Sequence, residues 1–382
     1  MSSTETIKTD AIWVDNDAQL AELCQQWQQQ SALAIDTEFM RTSTFYPQAA
    51  LFQVGDGQGC YLIDPLAIKD FSPFQELMRN PAVVKVLHAC SEDLEVFRYF
   101  LQVVPSPLFD TQIAAAFTGD GFSMGYARLV NALLGVELPK SETRSDWLQR
   151  PLSQSQLRYA ALDVAYLMVV YGKLLQRLKG LERLDWVKTE CQQLVDAAEV
   201  EADGADYYLK VKSAWKLSRQ ELAVLRELCK WREEQARTRD VPRNRLIKER
   251  TLWDMAKYKP QAMPMLAKIE GMPPRTLRTD GEQLLALIEQ GLNCPAAQQP
   301  SLMEKPLPPA AGDLLKALKQ QVRELAEQLN LAPEVLVRKK DFEALVRSGL
   351  KTGEYLLPPS LKGWRRGVVG EELLELANHW PH

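Results

Sequence analysis

Two acidic residues, separated by a single position, stand out as groups that could do chemistry. In the segment LAIDTEFMR, Asp36 and Glu38 lie on one face of a predicted strand, because successive strand side chains point to opposite sides. Leu33 and Ile35 mark the other, apolar face. Adjacent carboxylates repel each other, and burying either is costly unless a cation compensates. The segment predicts either a strand end whose acids are solvated or paired with Lys or Arg, or a cation site.

Two other segments place acidic residues at the ends of predicted elements. In VVKVLHACSEDLEVF, a buried strand leads into a helix with Ser91 as its predicted N-cap and Asp93 in its first turn. The helix macrodipole favours an acid there even without a ligand. In LSQSQLRYAALDVAYLM, a capping box beginning at Ser153 predicts a helix that carries Tyr159 and Asp163 one turn apart on one face. An exposed Tyr–Asp pair on an ordinary helix is the alternative.

Together these segments supply four carboxylates, whereas the whole chain has only three histidines. Carboxylate oxygens are hard ligands, and they favour Mg²⁺ or Mn²⁺ over zinc. Two such ions about 3.5–4 Å apart can stabilise the attacking and leaving oxygens of a phosphodiester during in-line displacement. The sequence therefore predicts a site for two divalent metal ions, Mg²⁺ or Mn²⁺, which would neutralise the acidic pair of the first strand.

The elements that must position these residues alternate between strands and helices over the first 200 residues. Strands are predicted at 33–39, 50–54, 60–63, 83–88 and near 108–109. The turn GDGQG between the second and third strands predicts an antiparallel hairpin. Helical patterns occur at 74–79, 91–101, 111–117, 126–134 and 153–178. After about residue 215 amphipathic helices replace the strands.

Two helical segments, residues 221–257 and 313–347, resemble each other at an offset of about 90 residues. Leu225 aligns with Leu315, and Leu246 with Leu336. The match is mostly apolar, so similar helix packing could produce part of it by chance, but a duplicated small domain is the simplest account. The predicted domains are a catalytic domain (1–205), a first helical nucleic-acid-binding domain (206–293), a Pro-rich linker (294–312) and a second, divergent helical domain (313–382).

Charge is distributed unevenly along the chain. Residues 1–200 carry a net charge of −9, the remainder carries +5, and residues 210–260 alone carry +8. An acidic front half joined to a locally basic segment suits an enzyme that holds a polyanion beside a metal site. The pI of the whole chain, about 5.7, would not by itself indicate a nucleic-acid-binding protein.

Several functional classes lack their sequence signals. The N-terminal residues show no secretory signal, and no apolar run approaches the ~20 residues of a membrane span. The six cysteines are scattered without a CxxC pair, which predicts reduced thiols in a cytoplasmic protein. A nucleotide-binding oxidoreductase or NTPase is unsupported, because neither GxGxxG after the first strand nor GxxxxGK[ST] occurs.

In combination, the motifs resemble the ribonuclease D family over essentially the whole chain. DTEFMR…TFYPQAALFQV, LHACSEDLEVF and YAALDVAYL are similar to the three exonuclease motifs of the family. The resemblance implies a 3′→5′ exonuclease with an Asp-Glu-Asp-Asp constellation, and Tyr159, where other members have His, indicates the tyrosine subgroup. The implied fold class is an α/β ribonuclease H-like exonuclease domain, with a mixed sheet flanked by helices, followed by two small all-α domains.

The resemblance also implies a role for each matching residue. Asp36 would bridge both metal ions, Glu38 and Asp163 would help to hold the ion on the nucleophile side, and Asp93 would serve the leaving-group side through water. Tyr159 would orient the attacking water. Because tyrosine titrates near pH 10, a hydrogen bond from Tyr159 is more plausible than its acting alone as a base.

Candidate RNA contacts are less well defined by the sequence. Thr37 and Phe39 flank the acids of the first strand, although the alternation of apolar residues favours a core position for Phe39 over a contact with the terminal base. Residues 215–291 resemble the helical nucleic-acid-binding domain shared by RecQ-type helicases and ribonuclease D, and solvation is an alternative for its charged positions. The cationic candidates in this block are Arg232, Arg237, Arg239, Arg243, Arg245 and Lys248. Lys140, Arg144 and Arg150, in the loop before the helix that carries Tyr159, could also contact phosphates, and a solvated basic loop is an equally good interpretation. Asp110 is expected to support the site, and His88 to be structural.

The sequence thus predicts a monomeric, cytoplasmic 3′→5′ exoribonuclease that trims 3′ extensions of tRNA precursors and other small stable RNAs, without a membrane association. Two alternatives remain open at this point. One is a DNA 3′→5′ exonuclease, because selectivity for the sugar hydroxyl cannot be deduced from these motifs. The other is an RNA-binding adaptor on an exonuclease-like scaffold, which the presence of all four acids disfavours.

Overall fold

The computed structural model describes residues 7–139, 142, 145–200 and 204–380, and within them the chain builds one six-stranded mixed sheet. The strands are β1 (Ala11–Val14), β2 (Ala32–Met40), β3 (Gln48–Gly55), β4 (Cys60–Ile63), β5 (Val84–Leu87) and β6 (Leu108–Asp110). Their order in the sheet is β1-β4-β3-β2-β5-β6. Strand β1, a short apolar run, is an element that the sequence patterns did not predict.

Whether two neighbouring strands are parallel or antiparallel is related to the length of the connection between them. Strands β3 and β4 are antiparallel and pair Gly55 with Cys60 across the GDGQG turn, which confirms the predicted hairpin. The pairs β1–β4, β2–β5 and β5–β6 are parallel. Parallel neighbours require crossover connections, and helices supply these here.

The helices of the first 200 residues are α1 (Asp17–Trp27), α2 (Ser72–Arg79), α3 (Ser91–Val96), α4 (Thr111–Thr118), α5 (Tyr126–Leu134), α6 (Gln154–Ala165), α7 (Leu167–Gly180) and α8 (Leu184–Glu199). A π-helical turn, Phe97–Leu101, extends α3. The single helix predicted at 153–178 is two helices separated at Tyr166. The predicted N-cap Ser91 is instead the first helical residue of α3, and the capping position is Cys90, which makes no side-chain cap.

Two helical blocks follow. The first (residues 219–292) contains α9 (Arg219–Thr238), α10 (Arg243–Leu246), α11 (Glu249–Tyr258), α12 (Met263–Leu266) and α13 (Pro274–Leu292). The second (residues 309–380) contains α14 (Gly312–Gln328), α15 (Pro333–Leu336), α16 (Lys339–Gly349) and α17 (Glu371–Asn378). The first residues of the short helices α10 and α15 are 90 positions apart, and so are their last residues, which is the offset of the sequence match. Asp240 and Asn330, also 90 positions apart, both have positive φ.

The chain divides into two compact units. One contains the described residues up to Met40, Ala49–Glu199 and those from Leu307 onward, and the other contains Arg41–Gln48 and the described residues from Val200 to Pro306. The second helical block shares one apolar core with the sheet, whereas the first has a core of its own. The predicted domain boundaries stay predictions. No helix of the described residues has the length and apolar character needed to cross a bilayer.

Candidate active site

Strand pairing brings the first two acidic motifs to the same edge of the sheet. Strands β2 and β5 are parallel, with Ala34 beside Val86, so their carboxyl ends point the same way. Asp36 and Glu38 lie in the second half of β2, and Asp93 lies in the first turn of α3, directly after β5. This edge, outside the carboxyl ends of parallel strands, is where α/β proteins usually bind ligands.

Helix α6 contributes the third motif. Both hydrogen bonds of the predicted capping box are present: Gln156 N–H donates to Ser153 Oγ, and Ser153 N–H donates to Gln156 Oε1. The box determines where the helix begins, and Tyr159 and Asp163 then follow one turn apart. Both residues are half-buried, so the alternative of an exposed Tyr–Asp pair does not apply.

Three carboxylates converge at this edge. One oxygen from each of Asp36, Glu38 and Asp163 lies within 4.8 Å of the other two. The second oxygen of Asp163, Oδ2, is buried and has no hydrogen-bond partner. Among the residues that the structure describes, no Lys or Arg pairs with these acids. A buried, unpartnered acceptor beside two further carboxylates is what a cation site without compensating side chains requires.

Asp93 lies outside this group of three but close to it. The residue is 8% exposed, and its Oδ1 accepts a hydrogen bond from Thr37 Oγ1. Its charge contributes to raising the pKa of Asp36, Glu38 and Asp163. All four predicted carboxylates are therefore in one electrostatic neighbourhood, with three in direct reach of a shared ligand.

Burial and mutual repulsion disfavour the charged forms of these acids. Burial is the largest cause in each case, and it raises the pKa of Glu38 to about 9, that of Asp163 to about 8 and that of Asp93 to about 7. The pKa of Asp36 is also raised, by burial and then by Asp93 and Asp163. A divalent cation would reverse these shifts, since it binds the ionised carboxylates. The donor set, oxygen only, fits such an ion.

Tyr159 is held as a hydrogen-bond donor. Burial, followed by the charges of Asp163 and Glu38, raises its pKa above the ordinary value, so the phenol keeps its proton. A hydrogen-bonding interaction with Tyr159 in turn lowers the pKa of Asp163. The ring centre of Trp147 lies 5.9 Å from that of Tyr159 and restricts its position.

Asp110 and His88 support the turn that leads to Asp93. Asp110 is 2% exposed, and its carboxylate accepts hydrogen bonds from the backbone N–H groups of Ala89 and Cys90, at 3.1 Å each. His88 Nε2 lies 3.0 Å from the carbonyl oxygen of Met124, and its Nδ1 lies 2.9 Å from Thr111 Oγ1. Both side chains thus make structural contacts beside the site.

The predicted RNA contacts in this part of the chain occupy different environments. Thr37 is 6% exposed and bound to Asp93, and Phe39 packs against the main core. Arg150 forms an ion pair with Asp64 at 2.6 Å and donates to Ala50 O. Lys140 and Arg144 lie outside the described residues. The Thr37–Asp93 bond joins positions 56 residues apart and has no local sequence signal.

The basic run of the first helical block separates into internal and external residues. Arg232 is 1% exposed and its guanidinium stacks on Tyr207, so this residue is not available to a surface ligand in this conformation. Three others make ion pairs: Arg237 and Arg243 with Glu233, and Arg239 with Asp280. Arg245 and Lys248 are exposed.

Comparisons with known proteins identify the family to which the chain is similar. Residues 11–179 match the family model described as 3′-5′ exonuclease, and residues 221–288 match the HRDC domain. Ribonuclease D of Pseudomonas paraeruginosa is 52% identical over 362 residues, covering 95% of this chain and 96% of the relative. Ribonuclease D of Escherichia coli is 37% identical over 371 residues, covering 96% and 98%.

The crystal structure of E. coli RNase D superimposes with a TM-score of 0.90 at 36% identity, covering 98% of this chain and 100% of that one. The fold and the acidic edge define a 3′→5′ exonuclease of the ribonuclease H-like class, whose carboxylates imply dependence on a divalent metal ion. The chain belongs to the ribonuclease D family. Its activity is that of a 3′→5′ exoribonuclease, and RNA is its partner.

Proposed function

We propose that this enzyme removes nucleotides from unpaired 3′ extensions of structured RNAs, tRNA precursors among them, and that it acts as a cytoplasmic monomer. Asp36, Glu38, Asp93 and Asp163 are the proposed ligands of two divalent ions, Mg²⁺ or Mn²⁺. The observation that carries the proposal is the convergence of Asp36, Glu38 and Asp163 within 4.8 Å. The similar E. coli enzyme is an exoribonuclease involved in structured RNA processing, which supports the substrate class.

Bound ions would supply a nucleophile at neutral pH and stabilise charge on the attacking and leaving oxygens. The carboxylates of Asp36, Glu38 and Asp163 bind and orient these ions, and the unpartnered Oδ2 of Asp163 is an acceptor ready for this purpose. Asp93, oriented by Thr37, serves the leaving-group side. Tyr159 retains its proton and donates a hydrogen bond that orients the attacking water.

The test uses a 5′-labelled tRNA with an unpaired 3′ extension, incubated with Mg²⁺ or Mn²⁺. Wild type should shorten the RNA one nucleotide at a time from the 3′ end, and both EDTA and Asp36→Asn should abolish the reaction. Asp185→Asn is the matched control, because this carboxylate is 90% exposed on α8 and distant from the acidic cluster in the sequence. A DNA strand of the same sequence, tested in parallel, measures sugar selectivity.

If wild type binds the RNA but leaves its length unchanged, the chain is an adaptor and the proposal fails. If it shortens DNA as fast as RNA, the proposed substrate class is wrong while the site assignment stands. Equal activity of Asp36→Asn and Asp185→Asn would contradict the site assignment itself.

A further inference from the structure

A cavity of about 350 Å³ lies apart from the acidic cluster, between α4 and the second helical block. Gln112 and Phe117 of α4 line one side, Val335 and Arg365 line the other, and Phe122 lies in the loop that follows α4. Its volume is within the range of pockets that bind small ligands. No residue that we assign to catalysis lines this cavity.

The walls of the cavity are held together by buried contacts. Arg365 donates two hydrogen bonds to the carboxylate of Glu190, at 2.5 and 3.0 Å, and Trp364 Nε1 donates a third at 3.1 Å. The ring of Trp364 stacks on Trp186 with centroids 4.6 Å apart and meets Phe117 edge-on at 5.4 Å. The cavity is therefore preformed, which lowers the entropic cost of binding a ligand.

The charge available to a ligand in this cavity is positive. Arg365 is 8% exposed and neutralised by Glu190, whereas the side chains of Arg338 and Lys339 are 61% and 84% exposed. Their ion pairs, to Glu190 at 3.8 Å and to Glu343 at 3.7 Å, are long and solvated, so they hold these cations weakly. Two acids line the cavity, Glu190 and Glu334, and the exposed Glu334 makes no ion pair with any described residue. An anionic group is the favoured ligand.

Phe122 provides an aromatic surface beside these cations. The residue is 52% exposed, which is unusual for phenylalanine and leaves its ring accessible from the solvent. An exposed aromatic ring next to a basic rim is the combination on which proteins stack the bases of single-stranded nucleic acids while cations neutralise the phosphates.

The loop that carries Phe122 also reaches the catalytic helix. The carbonyl oxygen of Met124 accepts hydrogen bonds from His88 Nε2 and Gln112 Nε2. Two residues later, the hydroxyl of Tyr126 donates to Leu162 O, at 3.1 Å, next to Asp163 in the chain. Phe122 and Tyr126 are four residues apart, at most about 14 Å even in a fully extended chain. A strand whose 3′ end is at the acidic cluster can thus pass Phe122 within a few nucleotides.

We infer that this cavity is a second RNA subsite, which binds an unpaired nucleotide upstream of the 3′ end with its base on Phe122 and its phosphate near Arg338 and Lys339. The inference rests on the proposed function, because it assumes a single-stranded substrate held at the acidic cluster. It assigns a direct RNA contact to the second helical block, whose part in substrate binding the sequence left open.

The test compares two substrates of different reach, a dinucleotide and a long unpaired RNA. Phe122→Ala, and separately the pair Arg338→Glu and Lys339→Glu, should raise the KM for the long RNA. For Phe122→Ala the ratio of dinucleotide KM to long-RNA KM should then fall about tenfold, since the substitution removes one base stack. The Arg338 and Lys339 pair should lower the same ratio, since it removes the cations near the phosphate. The matched control is the pair Lys351→Glu and Lys362→Glu, which changes the charge of the same block equally at exposed positions outside the cavity.

An unchanged ratio of dinucleotide KM to long-RNA KM in both cavity variants would overturn the inference. An equal fall of this ratio in the Lys351 and Lys362 control would also overturn it, because it would indicate a general charge effect. A uniform rise in KM for both substrates would also overturn it, because the loop would then act on the acidic cluster itself. Failure of the proposed function is distinguishable, since wild type would then shorten neither RNA. Thermal unfolding of each variant verifies that the fold is intact.

Discussion

The carboxylate of Asp110 accepts a hydrogen bond from the backbone N–H of Cys90, and its two oxygens together bind two different segments of the chain. Oδ2 accepts the hydrogen bond from Cys90 N–H at 3.1 Å, whereas Oδ1 accepts bonds from Ala89, Gln112 and Ile113. Asp110 is therefore both the N-cap of α4 and the anchor of the turn before α3. Because Ala89 has a positive φ of 55°, unusual for a residue other than glycine, the turn depends on this support. Asp93 follows three residues after Cys90.

Asp110→Asn should lower stability and weaken metal binding together. The amide oxygen can replace Oδ1, but the NH₂ group then faces the N–H of Cys90, and this buried donor loses its acceptor at a cost of about 1–3 kcal/mol. Urea unfolding and Mn²⁺ titration measure the two effects. Asp120→Asn is the control, since it removes a partly exposed ion pair to Arg177 worth at most about 1 kcal/mol. Equal metal affinities in the two variants would contradict a positioning role for Asp110.

The metal-free enzyme should lose stability as pH rises. The carboxyls of Glu38, Asp163 and Asp93 have folded-state pKa values of about 9, 8 and 7, above those of an unfolded chain near 4. Folding therefore favours the protonated forms, and the stability that they contribute is fully present below about pH 4 and is lost as pH rises through 7–9. Saturating Mg²⁺ binds the ionised forms and should reduce this loss.

The check is the midpoint of thermal unfolding between about pH 5 and pH 9, with EDTA or with Mg²⁺. Asp163→Asn, which removes one of the shifted groups, should have a shallower pH dependence in EDTA than wild type, whereas Asp185→Asn should behave as wild type does. Equal pH slopes for wild type and Asp163→Asn in EDTA would show that the raised pKa of Asp163 has no thermodynamic consequence.

Removing only one partner of the ion pair between Glu190 and Arg365 should lower the free energy of unfolding strongly. Arg365→Met leaves the 7%-exposed carboxylate of Glu190 with Trp364 and the distant Arg338 as its remaining partners among the described residues. An uncompensated buried charge typically costs about 3–5 kcal/mol. Adding Glu190→Leu to Arg365→Met should recover part of this loss, because both charges are then absent. Urea unfolding of the single and double variants measures both changes. A double variant no more stable than Arg365→Met would mean that packing, and not charge, holds this contact.

Basic residues of the first helical block should differ in their effect on RNA binding. Arg245→Gln and Lys248→Gln remove exposed cations, and each should weaken binding and reduce the salt dependence of log K by about one unit per lost phosphate contact. Arg232→Met should lower stability but leave the salt dependence unchanged, because Arg232 is buried on Tyr207. Binding of labelled RNA by Asp36→Asn protein, at several salt concentrations, distinguishes the two groups. A reduced salt slope for Arg232→Met would reverse this assignment.

Local patterns were sufficient to predict the elements that carry the acids. The alternation in β2 places Asp36 and Glu38 on one face, the capping box determines the start of α6, and the offset of 90 residues relates α10 to α15. Each of these features depends on residues that are close together in the sequence, and strand and helix periodicity encode such relationships directly. The elements that bring Asp36, Glu38 and Asp163 together were therefore predictable from the sequence, whereas their role as metal ligands stays a prediction.

Only the tertiary structure decided which polar groups are available for chemistry. Thr37 and Arg232, both plausible RNA contacts by sequence, are buried against Asp93 and Tyr207. The second helical block shares the core of the sheet, and its contacts with α4 and α8 create a cavity that no local pattern signals. Burial and long-range pairing join residues that are far apart in the chain, such as Glu190 and Arg365, which are separated by 175 positions. Sequence periodicity is local and carries no information about such pairs. The chain by itself thus determined the residues of the acidic cluster, and folding determined their burial, their support and their neighbours.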